Sequence, residues 1–145
     1  MTNNKYDEKI IEQEEMKLLS MYTYGKTILP ERYKILNCFE DKRSDFQAYV
    51  VQRGNNIVIS FRGTEWTHPI DLRNDIAMAR SRIPAQTTEA LKLYDKVAAE
   101  YPNAHIVLTG HSLGGSLAQI VGAIRDTGNF NLIATFFLKS AQNKV

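Results

Sequence analysis

The stretch Ile106-Val107-Leu108-Thr109-Gly110-His111-Ser112-Leu113-Gly114-Gly115-Ser116-Leu117-Ala118-Gln119 decides how the rest of the chain is read. An apolar run predicts a buried strand over 106–109, and a helix-like stretch follows from Leu113 to Asp126. Between them a serine is flanked by glycines two residues to either side, the G-x-S-x-G pattern of a sharp strand-to-helix turn. A serine in such a nucleophile elbow projects above the sheet, and glycine is needed around it because the turn leaves no room for a Cβ.

Working upstream, Ile57-Val58-Ile59-Ser60-Phe61-Arg62-Gly63-Thr64 reads as a second buried strand ending in Arg-Gly-Thr. Phe46 to Gln52 is β-rich as well. Arg53-Gly54-Asn55-Asn56 makes a four-residue connection between the two, predicting an antiparallel hairpin at one side of the sheet. Leu91, Tyr94, Val97, Ala98 and Tyr101 recur at helical spacing ahead of Pro102, so a crossover helix is expected over 88–101. Ile11, Leu18, Leu19 and Tyr22 share one helical face, with Gly25 placed to end that helix. The segment Trp66 to Pro84 mixes helix and loop signals. Downstream, Leu132 to Leu138 reads as a further buried strand, giving a β-α-β unit with the elbow helix that should be parallel and right-handed.

Together, the two motifs resemble the class 3 (fungal-type) lipase family, which has the α/β-hydrolase fold. Asp71 to Ile76 is similar to that family's acidic segment, although Leu72 stands where a tryptophan is usual, and Ala90 to Ala104 also has its character. The resemblance covers roughly 15–136 and implies an incomplete α/β-hydrolase sheet, mostly parallel, with an antiparallel hairpin at one side and flanking helices. The whole chain, 1–145, is read as a single domain comprising the N-terminal portion of such a fold.

The chemistry expected of that fold is acyl transfer. A serine hydroxyl is a weak nucleophile near neutral pH and needs both a base and donors for the developing oxyanion. Ser112 is the candidate nucleophile, framed by Gly110, His111 and Gly114, and the backbone N–H of Leu113 is one expected oxyanion donor. The resemblance implies Thr64 as the other. Its substrate class would be a lipid or small carboxylic ester.

The remaining triad members should follow the serine, an acid first and then a histidine. After Ser112 the chain contains no histidine and no glutamate, and its one aspartate, Asp126, falls at the end of the elbow helix, where it reads as a helix-terminus residue. His105 starts the elbow strand, on the order of 20 Å from Ser112. His111 neighbours the serine and should diverge from it. His68 is the one upstream stand-in on the correct edge, without an acid to fix its tautomer. Arg62, Asp71 and Asp75 are expected to tie down the loop after the Arg-Gly-Thr strand rather than to act in catalysis. Beyond Phe136 the family's Asn-Ala-Pro-Gly-like turn is replaced by a polar tail, so a C-terminally truncated lipase is expected, completed by a complementary downstream fragment or else catalytically inactive.

Composition narrows the partners. With 145 residues and 43% hydrophobic content, the chain can bury roughly 70% of its unfolded surface in one core. A net charge of +2, with 18 basic and 16 acidic residues interspersed, gives no footprint for nucleic acid. Three histidines and a lone Cys38 show no metal-ligand spacing, and no nucleotide loop or other cofactor motif is present. The polar start lacks a secretory h-region and no apolar run is long enough to span a bilayer, so a cytoplasmic protein without a transmembrane segment is expected.

Overall fold

The computed structural model describes residues 19, 29, 31–62, 72–111, 113–125 and 132–135, with backbone alone over 72–80 and 132–135. Among the described residues the elements follow in the order β1 (Lys34–Asp41), β2 (Phe46–Arg53), β3 (Asn56–Phe61), α1 (Leu72–Glu100), β4 (His105–His111), α2 (Leu113–Ile124) and β5 (Leu132–Thr135). The strands form one sheet in that same sequential order. β1 to β3 are an antiparallel meander, whereas β3, β4 and β5 run parallel. The change of direction falls where the chain first leaves the sheet for a helix, because parallel neighbours need a crossover and antiparallel ones only a turn.

Alternation along the strands sorts the core into two layers. Phe46, Ala48 and Val50 of β2, Ile57, Ile59 and Phe61 of β3 and Leu108 of β4 face the helices, where Ala90, Leu93 and Val97 of α1 and Leu117, Ala118 and Val121 of α2 close over them. Phe46 and Phe61 meet as tilted rings with centroids 6.0 Å apart, a favoured aromatic geometry. On the other face, Val51, Val58 and Val107 pack with Leu19 and Tyr33. Leu19 is helical and buried, as expected of the apolar face read from the N-terminal segment, and its carbonyl accepts a hydrogen bond from the buried Ser60 hydroxyl at 3.2 Å.

The hairpin stands on the antiparallel side of the sheet, as expected, and β1 adds a strand outside it, with a bulge between Ile35 and Asn37. Two expectations are revised. Only Gly54 and Asn55 form the hairpin connection, since Arg53 still pairs with Asn56, and Gly54 takes φ +57°, a backbone conformation that a side chain resists. Helix α1 begins sixteen residues before Thr88 and runs through Pro84. Proline costs the helix one hydrogen bond there, and the carbonyl of Pro84 in turn accepts the Thr88 hydroxyl at 3.2 Å. β5 is described to Thr135, and the rest of the expected strand lies outside the described residues.

Candidate active site

The site grows from the register of β3 on β4. Phe61 pairs with Gly110, so the parallel strands finish side by side, and the chain leaves β3 at Arg62 next to the point where β4 enters α2. β4 runs to His111, two residues further than expected, and α2 begins at Leu113. Ser112, the single residue between them, lies outside the described residues.

Gly110 is what lets the helix start so close to the strand. A Cβ built on it would fall 2.2 Å from the carbonyl carbon and 2.3 Å from the carbonyl oxygen of Gly114, and 2.7 Å from the nitrogen of Gly115. These are backbone atoms that cannot swing aside, so only glycine fits. Leu113, Gly114 and Gly115 are all buried against the strand end. The junction is therefore a closely packed corner, with α2 opening at position 113.

Two pieces of β-structure brace this end of the sheet. Asp41 and the following turn form a local loop in which the Asp41 carboxylate accepts from the Ser44 hydroxyl at 2.6 Å and from the Ser44 and Arg43 backbone N–H groups at 3.3 and 3.4 Å. The Ser44 hydroxyl bond is the main reason that the Asp41 carboxyl is held below its ordinary range. Asp45 then takes φ +60° and leads into β2. At Gln47 the strand accepts the Arg62 backbone N–H at 2.9 Å, and the Arg62 guanidinium donates to the Gln47 side-chain oxygen. On the helix side, buried Gln86 donates to the Ser44 carbonyl at 2.9 Å and Arg82 pairs with Asp45 at 2.7 Å.

Of the residues expected at the site, Gly110, His111, Leu113 and Gly114 come together at the β4–α2 junction. Thr64, His68, Asp71 and Asp126 lie outside the described residues, and Asp75 is described only as part of α1. His105 opens β4, at the far end of the strand from position 112, where it pairs with Asn56. His111 is half-buried on the face of the sheet that carries Val107 and Thr109, away from the helices. Arg62 bonds to Gln47 through its backbone N–H and its guanidinium, and the loop it was expected to tie down lies outside the described residues. The roles of Gln47 and Gln86 were not legible in the sequence: one is a polar residue on an alternating strand, the other a polar residue on a helix, and neither carries a motif. Among the described residues no three histidine, cysteine, aspartate or glutamate side chains gather as metal ligands, and no helix is long and apolar enough to cross a membrane.

A sheet that turns from antiparallel to parallel, and a parallel strand that passes into a packed helix through one residue, together define an α/β-hydrolase-type fold of the lipase kind. The chain superposes on the lipase from Rhizopus microsporus var. chinensis with a TM-score of 0.63 at 18% identity, covering 88% of this chain and 56% of that one. It superposes equally on the Rhizomucor miehei lipase of a propeptide complex, with a TM-score of 0.63 at 21% identity, covering 89% and 52%. The chain thus spans just over half the length of these lipases. A 31-residue stretch is 61% identical to the protein named "Putative lipase ATG15" of Eremothecium gossypii, covering 21% of this chain and 6% of that protein. Residues 33–137 match the Mbeg1-like family, and the chain belongs to it.

Proposed function

We propose that the β4–α2 junction is a nucleophile elbow for carboxylic-ester hydrolysis, in which Ser112 attacks and the backbone N–H groups of Leu113 and Thr64 hold the oxyanion. The observation that carries this reading is the Gly110–Gly114 contact, which brings the end of β4 at His111 and the start of α2 at Leu113 together with one position, a serine in the sequence, separating them. The lipase fold of the structural relatives supports the assignment to an ester of a lipid.

In this chemistry the Ser112 oxygen bonds to the ester carbonyl carbon while its proton passes to a base, and the carbonyl oxygen takes up the negative charge. Donors preorganised toward that oxygen stabilise it as charge develops. Collapse of the intermediate expels the alcohol and leaves an acyl-serine, which water then cleaves. Leu113 is suited to the donor role because the first N–H groups of a helix have no intrahelical acceptor. Neither residues 113–145, which contain no histidine and no glutamate, nor His105, at the other end of β4, supply such a base.

That same observation supports a second reading, in which this chain retains the elbow and binds an ester or partner without turning it over. Both readings are tested by treating the chain with a fluorophosphonate at pH 9, where solvent hydroxide substitutes for the base, and mapping the adduct by mass spectrometry. Selective modification of Ser112 over the other serines, abolished in Ser112→Ala, is the expected result. Indiscriminate modification of serines would refute the elbow assignment.

A further inference from the structure

We infer that Asn37 guards the outer edge of β1: its side-chain oxygen occupies the Cys38 N–H and so keeps that edge from pairing with the β1 edge of a second copy of this chain. The inference is independent of the Ser112 reading and concerns the flank of the sheet opposite β5.

The direction of each backbone group in β1 follows from a bond in the next strand pair. The Arg62 N–H donates to the Gln47 carbonyl at 2.9 Å, so Gln47 turns its backbone polar groups toward β3. Antiparallel strands alternate, so Phe46, Ala48 and Val50 turn theirs toward β1, and their partners Asp41, Phe39 and Asn37 turn toward β2. Cys38 and Glu40 are left facing outward. Among the described residues no strand pairs with that side of β1.

Beyond the bulge, Asn37 to Asp41 pair with β2 without interruption, and this regular stretch has room for another strand. β1 is mostly exposed, Ile35 is 39% exposed, and Phe39 is only partly buried against the core. An exposed edge of that kind is a template for pairing. A second copy fits it through a two-fold axis at Phe39, which sets Cys38 and Glu40 of one copy against Glu40 and Cys38 of the other, outward donors meeting outward acceptors. The bulge and the charges of Lys34, Glu40 and Asp41 oppose this in a general way. Asn37 opposes it at one atom. The outward donors of the stretch are the N–H groups of Cys38 and Glu40, and Asn37 Oδ1 accepts the first at 2.8 Å. A short polar side chain bonded to the neighbouring backbone competes with a ladder bond. In the two-fold pair it has to be displaced in both copies. At the lower end of the net worth of a hydrogen bond, each release favours pairing about 3-fold and the two together about 10-fold.

The test is the self-association constant of the full chain, from sedimentation over a dilution series, with thermal melts on the same samples. Asn37→Ala and Asn37→Val remove the acceptor and are each expected to associate about 10-fold more tightly than wild type. Asn37→Asp keeps an oxygen at the same reach and should stay within about 3-fold of wild type at high salt, which screens the added charge. Glu40→Pro deletes the second outward donor. Because that N–H faces away from β2, the proline should lower the melting temperature by no more than about 3 °C and return the Asn37→Val chain to wild-type association. Phe39→Pro, which removes a donor facing β2, should be markedly less stable. Association at any other surface is common to all samples and drops out of the comparison. Wild-type association in both the alanine and valine variants, or tight association that Glu40→Pro leaves in place, would overturn the inference. Melting of Glu40→Pro as low as that of Phe39→Pro would overturn the outward assignment and the inference with it.

Discussion

Gly110 stands so close to Gly114 that a methyl group on the first would lie 2.2 Å from the carbonyl carbon of the second. Contact at that distance is far inside van der Waals separation, and both partners are backbone, so strand and helix must part to relieve it. Gly110→Ala is expected to destabilise the chain by about 3 kcal/mol, at the upper end of overpacking costs. Urea unfolding should show the midpoint falling with little change in slope. A variant as stable as wild type would mean that the strand–helix contact is looser than described.

The helix that follows is held by burial rather than by charge. Leu117 and Val121 are fully buried under α1 and the sheet. Leu117→Ala should cost about 2–5 kcal/mol, because the cavity left under α2 is enclosed by Ile59, Ala90 and Leu108 from the same cluster. The check is chemical denaturation. A loss below 1 kcal/mol would show that α2 is not packed as a core element.

Thr109 behaves differently. It is fully buried beside Ser60, yet its hydroxyl has no hydrogen-bond partner among the described residues, whereas the Ser60 hydroxyl donates to Leu19. Leaving a hydroxyl dry and unpaired costs on the order of 1 kcal/mol, so Thr109→Val is expected to raise the melting temperature by about 2–4 °C. A drop instead would reveal an ordered water on that oxygen.

Acid should weaken the fold through two carboxylates. The Asp95 carboxyl is lowered chiefly by its side-chain hydrogen bonds from Arg125, both 2.9 Å, and Asp41 by the Ser44 hydroxyl. A lowered value in the folded state means that the unfolded chain binds more protons in that window, so stability rises with pH there. Their contribution is present above the ordinary carboxylate range near pH 4 and is lost as pH falls through the lowered folded values. Melts from pH 6 to pH 2 should show this decline, and Asp41→Asn with Asp95→Asn should flatten it. An unchanged acid slope in that double variant would exclude these two groups as its source.

Ester turnover by residues 1–145 is expected to be negligible, because residues 113–145 hold no histidine or glutamate to act as the base. Enzymes that lose a triad member retain about 10³- to 10⁴-fold over water from the oxyanion hole and binding, provided the site stays braced. Hydrolysis of a p-nitrophenyl butyrate-type ester by wild type, Ser112→Ala and His68→Ala is the measurement. Robust turnover that Ser112→Ala abolishes would overturn the expectation, and loss in His68→Ala as well would identify His68 as the base.

The sequence alone determined the order strand, glycine-framed serine, helix, because periodicity and the glycine requirement are local properties. Ile106 to Leu108 is an apolar run, and Gly110 and Gly114 frame the serine in the G-x-S-x-G pattern, so the β4–α2 junction was visible without any contact being known. The parallel run of β3 and β4 followed from the crossover helix between them. Tertiary structure decided what depends on partners remote in sequence. β1 is mostly exposed, with charged ends and a bulge, so it carries no clear alternation, and its membership in the sheet lies in backbone pairing with β2 that no side chain announces. The start of α1 at Leu72 was hidden because Pro84 normally breaks a helix, whereas packing downstream and the bonds from Arg82 and Gln86 to the Ser44–Asp45 corner carry it through. Gln47 became meaningful only once β2 set it beside Arg62, since a hydrogen bond between residues fifteen apart exists only after the strands have paired.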